Sequence, residues 1–215
     1  MSAALAATLV TAAAVLLPAA AADLKVRVLD RSGLPLANSI VYAVPAVPIS
    51  HGKLPTAIID QVHRQFVPRV SVVQTGTAVD FPNSDNIRHS VYSFSPAKTF
   101  VLKLYAGRAA PPVVFDKAGI IVLGCEIHDS MIAWLLVVNT PYYAKSDAQG
   151  VVSLSGLRPG SYRLYAWHEP MRQPTAAEPL LVPERALLPD ITIRLKADTT
   201  PMKAAPMSGM PGMSN

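Results

Sequence analysis

The sequence predicts an all-β protein made of two β-sandwiches, one inserted in or packed against the other. Three observations carry this expectation. Beyond Asp23 almost no segment places apolar residues at helical spacing. Twelve short apolar runs occur instead, each about five residues long, the usual length of a strand. Turn-forming residues separate them, and the 215-residue chain holds 20 prolines and 11 glycines.

In chain order, residues 1–22 carry no charged side chain; an apolar block from Leu5 is followed by Pro18 and a run of alanines. That pattern reads as an export signal with a small-residue cleavage site after Ala22, although no Lys or Arg precedes the apolar block. An uncleaved N-terminal anchor is the alternative, and either reading places the body in an exported, periplasm-like compartment. Strands are expected at 24–29, 39–44, 70–73, 78–81, 90–94, 99–105, 113–115, 120–123, 132–138, 151–154, 161–167 and 191–195. Residues 197–215 are rich in Ala, Pro, Ser and Gly and hold Met202, Met207, Met210 and Met213. They show no periodic apolar face and read as a disordered tail.

Composition closes several classes. With 51% hydrophobic and 15% charged residues, wholesale disorder is excluded. A single cysteine rules out a disulfide scaffold. The net charge of +5 divides as +2 over 23–56, +1 over 57–138 and +2 over 139–215, with no concentrated basic face. Nucleic acid is therefore not an expected partner, nor is a membrane beyond the possible anchor. No phosphate-cradling glycine loop and no supported Ser-His-Asp arrangement is present, so hydrolase and nucleotide chemistry have no residues to carry them.

The chemistry concentrates in Gly119-Ile-Ile-Val-Leu-Gly-Cys125-Glu-Ile-His128-Asp-Ser-Met131. An apolar strand delivers a cysteine to its end, a histidine follows at +3 and a methionine at +6, and a second strand leaves. A tight loop of this kind can turn thiolate, imidazole and thioether onto one metal. Soft sulfur donors combined with imidazole favour copper over magnesium or calcium. A trigonal site with a long axial thioether needs a second histidine, and His89, between the polar turn 82–88 and the next strand, fits.

The set Gly76-x-x-Val79, Phe81-x-Asn83-x-Asp85, His89-Ser90-Val91 and Cys125-x2-His128-x2-Met131 resembles the cupredoxins, the blue copper proteins, over about residues 57–139. The short Cys-x2-His-x2-Met loop is similar to that of amicyanin more than to that of plastocyanin or azurin. The resemblance implies a Greek-key β-sandwich, one type 1 copper held by His89, Cys125, His128 and Met131, and no enzyme activity. It also implies exported redox proteins as electron donor and acceptor, met through the edge of His128. Two positions depart from the family pattern: Ser90 stands where Asn is common, and Gly124 where an aromatic is frequent. Residues 24–44 and 147–167 resemble two pieces of a carboxypeptidase-regulatory-like (transthyretin-like) sandwich. The resulting division is a signal at 1–22, that sandwich at 23–56 plus 140–196, a cupredoxin domain at 57–139 and the tail at 197–215. The whole resembles exported plastocyanin-like proteins of the methylamine-utilisation type.

Other residues have simpler readings. Glu126 and Asp129 flank inward-pointing ligands and are expected to face outward. His63 is expected on a half-exposed strand, His51 in a solvated linker, and His168 in a structural role. Copper handling, as chaperone, store or sensor with the methionine tail, is the alternative to electron transfer. A non-metal binding module is a third reading, and it requires lost ligands, whereas all four residue types are present.

Overall fold

The computed structural model describes residues 21–50, 52–108, 111–169, 171–184 and 187–196. Most of the expected export signal, His51 and the methionine-rich tail lie outside the described residues. Nineteen strands and no helix occur among those described, as the all-β expectation requires. No helix there is long and apolar enough to cross a membrane.

The strands are β1 (Ala22–Leu29), β2 (Ile40–Pro45), β3 (Ala57–Ile58), β4 (Asp60–Val62), β5 (Gln65–Val67) and β6 (Val70–Gln74). Next come β7 (Thr77–Asp80), β8 (Pro82–Asn83), β9 (His89–Ser95), β10 (Lys98–Tyr105), β11 (Gly107–Arg108), β12 (Val113–Phe115) and β13 (Gly119–Gly124). The last six are β14 (Ile132–Val138), β15 (Tyr143–Lys145), β16 (Val151–Leu157), β17 (Gly160–Trp167), β18 (Glu178–Val182) and β19 (Ile191–Arg194). All twelve expected runs are strands, most of them longer by a residue or more.

Strand β1 pairs antiparallel with β16 and parallel with β19, while β2 lies between β15 and β17 in a sheet that ends at β18. The alternation in β1 turns Leu24, Val26 and Val28 inward, where they meet Val41, Ala43, Val152, Leu154 and Leu164 in one core. Tight turns fix this pairing. The Asp147 carboxylate accepts the N–H groups of Gln149 (2.9 Å) and Val151 (2.8 Å), and Gly150 takes φ 71° with its Cα against the Val28 carbonyl, where any Cβ would collide. The Tyr162 hydroxyl donates to Arg158 O at 2.8 Å and pins the turn before β17.

Strands β3 to β14 pair among themselves in three sheets, ordered β10-β9-β13-β14-β6, β11-β8-β4-β5 and β12-β7-β3. Their shared core contains Phe66, Val79, Phe81, Val91, Phe115, Ile121, Leu123 and Leu135, together with Cys125 and Met131.

The seven-residue apolar run of β14 is explained by burial on both faces. Ala133, Leu135 and Val137 enter the core just named; Trp134, Leu136 and Val138 enter another with Val70 of β6, Ile40 of β2 and Trp167 of β17. A strand covered on both sides loses its polar alternation, as β14 does. This third core joins the β2–β17 sheet to the β6–β14 sheet, and Trp167 within it is fully buried. Each large apolar side chain buried there contributes about 1.5–3 kcal/mol.

Candidate metal centre

Register brings the predicted residues together. Strand β9 runs antiparallel to β13 with Tyr92 opposite Gly124, so the start of β9 lies beside the residues that follow β13. Strands β13 and β14 pair from Gly119↔Val137 to Gly124↔Ile132, leaving residues 125–131 as the loop between them. Inside that loop Met131 N–H donates to His128 O at 2.9 Å, which closes the turn. His89 opens β9 on the same end of the sheet.

One donor atom from each of His89, Cys125 and His128 lies within 4.8 Å of the other two. His89 Nδ1 stands 3.7 Å from Cys125 Sγ, and the two imidazole rings are 5.0 Å apart at 57°. Metal–sulfur and metal–nitrogen bonds of about 2.3 and 2.0 Å, meeting at roughly 120°, separate the two donors by about 3.7 Å. His128 Nδ1 is buried and has no hydrogen-bond partner. A buried ring nitrogen left unpaired costs desolvation that a bound cation removes. One thiol and two imidazoles form a donor set that suits copper. His89 and Cys125 are buried, whereas His128 keeps part of its ring at the surface. Met131 is 1% exposed and packs in the same core as Cys125.

Ser90 ties the start of β9 to the loop that follows β13. Its hydroxyl accepts the Glu126 N–H at 2.8 Å and lies 3.9 Å from Cys125 Sγ as a donor. A hydroxyl therefore spans the gap at the position where the sequence departs from the cupredoxin pattern. The second departure also has a structural counterpart. A Cβ on Gly124 would lie 2.6 Å from Tyr92 Cζ and 2.7 Å from its hydroxyl, so a phenol from the neighbouring strand fills the space beside Cys125. Burial, with the charges of Asp129, Cys125 and Glu126, pushes the Tyr92 hydroxyl above its ordinary value.

Asp85 contacts the site in a way that spacing does not reveal. Its Oδ2 lies 2.8 Å from His89 Nε2 and accepts the Arg64 N–H at 2.8 Å, and Oδ1 accepts the His63 N–H at 2.6 Å. Burial raises this carboxyl, but the hydrogen bonds from Arg64, His89 and His63 outweigh it and leave the group below the usual carboxylate range. His63 corrects the expectation of a strand position. It occupies the exposed turn between β4 and β5 at φ 52° and is not among the three clustered donors.

Glu126 and Asp129 are exposed, facing outward as the sequence leads one to expect. Beside β9, the Tyr105 hydroxyl donates to Phe81 O at 2.6 Å and accepts from Gln61 Nε2; burial, opposed by that Gln61 bond, pushes the phenol up to about 12. His168 lies away from this cluster, with Nδ1 3.1 Å from Ser39 Oγ, and burial lowers its pKa.

No protein-family model and no curated protein matches the chain. Solved structures do. A copper-containing nitrite reductase from Thermus scotoductus SA-01 is 24% identical over 44% of this chain, with a TM-score of 0.38, and the match spans only 26% of the reductase. A purple cupredoxin from Nitrosopumilus maritimus is 19% identical over 38% of this chain and 99% of its own, with a TM-score of 0.34. The reduced state of an amicyanin mutant is 18% identical over 45% of this chain and 99% of its own, with a TM-score of 0.35.

Proposed function

We propose that this chain is an exported single-copper electron carrier, whose copper would be held by His89, Cys125 and His128 with Met131 as a fourth ligand. The observation that carries this reading is the convergence of three donor atoms, from His89, Cys125 and His128, within 4.8 Å, on a His128 ring whose buried Nδ1 has no hydrogen-bond partner. Bound copper supplies a one-electron change between its cuprous and cupric states.

The chain's own residues do the rest. Cys125, buried in an apolar core, offers a thiolate away from water and oxidants. The hydroxyl of Ser90 bonds the segment after Cys125 to the strand that carries His89, so the ligands change place little between oxidation states. His128, part-exposed beside the 49% exposed Ile127, presents an imidazole edge through which an electron passes to a docked redox protein.

We assign the outer strands, within residues 23–56 and 140–196, to a carboxypeptidase-regulatory-like sandwich around a cupredoxin domain at 57–139. Copper delivery is the competing use of the same ligands. Stopped-flow reduction and reoxidation of copper-loaded full chain, beside copper loss to a competing chelator, separate the two. A carrier cycles reversibly on a timescale far shorter than its copper exchange; exchange as fast as redox cycling would point to delivery.

A further inference from the structure

A single carboxylate couples a buried ligand to an exposed turn. His63 and Arg64 both adopt left-handed backbone, with φ 52° and 60°, a conformation that non-glycine residues keep only where the surroundings hold it. Both of their N–H groups donate to Asp85, at 2.6 and 2.8 Å. The same carboxylate meets His89 Nε2 at 2.8 Å. Asp85 is itself fixed: its N–H donates to Asn83 Oδ1 at 3.1 Å, and buried Asn83 donates to Ile87 O at 2.9 Å and Tyr105 O at 2.8 Å. The nearby Asp60 accepts from Gln61 N–H at 2.7 Å, and from Ser84 N–H and hydroxyl at 3.2 and 2.7 Å.

We propose that Asp85 is the positioning residue of His89, and that it selects the imidazole tautomer carrying its proton on Nε2. An ionised carboxylate only accepts, so Nε2–H must donate to it. A neutral ring that donates from Nε2 keeps its lone pair on Nδ1, the nitrogen that faces Cys125 Sγ. Asp85 therefore delivers the ligand atom before any metal arrives and holds the ring plane. Once a cation binds Nδ1, the negative partner on Nε2 makes the ring a stronger donor and favours the more highly charged cupric ion. That last consequence rests on the copper reading above; the tautomer does not.

The test uses the full chain. Long-range proton–nitrogen NMR of the metal-free protein should show His89 protonated at Nε2, and Asp85→Ala should abolish that preference. Cu(II) titration should show about a 10–100-fold loss of affinity in Asp85→Asn, with a raised reduction potential. Asp60→Asn, which loosens the same region without touching a ligand, separates positioning from structural support. It should keep the tautomer and lose less than about threefold in affinity, well short of what removing a ligand's outer partner costs. An unchanged tautomer in Asp85→Ala, or equal losses in Asp60→Asn and Asp85→Asn, would overturn the proposal. If wild type takes up no copper, the metal assignment fails while the tautomer measurement still decides the role of Asp85.

Discussion

The sharpest packing constraint beside the cluster is the contact between Gly124 and Tyr92. An added Cβ would lie 2.6 Å from Tyr92 Cζ, 2.7 Å from its hydroxyl and 3.1 Å from Cε1. To reach ordinary van der Waals contact the ring end must retreat by roughly 0.8 Å. The ring has little room to retreat, being 8% exposed and packed against Phe94 with ring centres 5.2 Å apart at a 34° tilt. Gly124→Ala should therefore cost about 1–3 kcal/mol, the usual penalty of overpacking, and move the backbone that carries Cys125. Tyr92→Leu removes the offending ring atoms, so the double variant should be more stable than the sum of the singles by about 1 kcal/mol or more. Urea denaturation of the metal-free full chain measures all four corners of this cycle. Additivity within about 0.5 kcal/mol would show that the two residues do not compete for the same space.

Trp167→Ala should destabilise the chain by about 3–5 kcal/mol in thermal or urea unfolding, because it empties the centre of the core between the β2–β17 and β6–β14 sheets; a loss below 1 kcal/mol would mean the two sheets do not depend on each other. Ser90→Ala leaves the Glu126 N–H without its acceptor and should cost about 1–3 kcal/mol while speeding copper loss. Unchanged stability and copper retention would show that the hydroxyl is not the tie between the ligand segments. Burial lowers the His168 pKa from 6.5, so as pH falls below about 6.5 the unfolded chain takes up a proton that the folded chain refuses. Its contribution is complete above that value and shrinks as pH falls toward the lowered folded pKa. His168→Gln should abolish that part of the acid sensitivity in urea midpoints measured from pH 7.5 to 5.

The strands that the sequence announces are those whose side chains carry the signal. The run 132–138 is apolar throughout because both faces of β14 are covered, and 24–29 alternates because one face of β1 meets solvent. Seven further strands have no such pattern. β8 is Pro82-Asn83, β11 is Gly107-Arg108, and β18 contains Pro179; pairing partners, not local preference, make them strands. The thiol and two imidazoles were legible because two of them share one short loop and the third follows a polar turn. Asp85 belongs to the pattern that carries the cupredoxin resemblance, yet in sequence it looks like any carboxylate in a turn. Its bond to His89 spans only four residues, but its grip on the 63–64 turn depends on contacts across 21 and 22 residues. Tyr92 was hidden for the same reason, since only the register of β9 against β13 sets it over Gly124.

Copper held by Cys125 and two histidines has an optical signature of its own. Absorption of the purified full chain during titration with Cu(II) tests for it most directly, because a thiolate bonded to cupric ion in a trigonal site gives an intense visible charge-transfer band. The band should saturate at one equivalent. Cys125→Ser should abolish it, because a hard and mostly protonated oxygen replaces the covalent sulfur donor. His89→Ala and His128→Ala should weaken binding and shift the band, and Met131→Leu should do the least. Copper-loaded wild type without that band, or a Cys125→Ser variant that keeps it, would show that the Cys125 sulfur does not hold the copper.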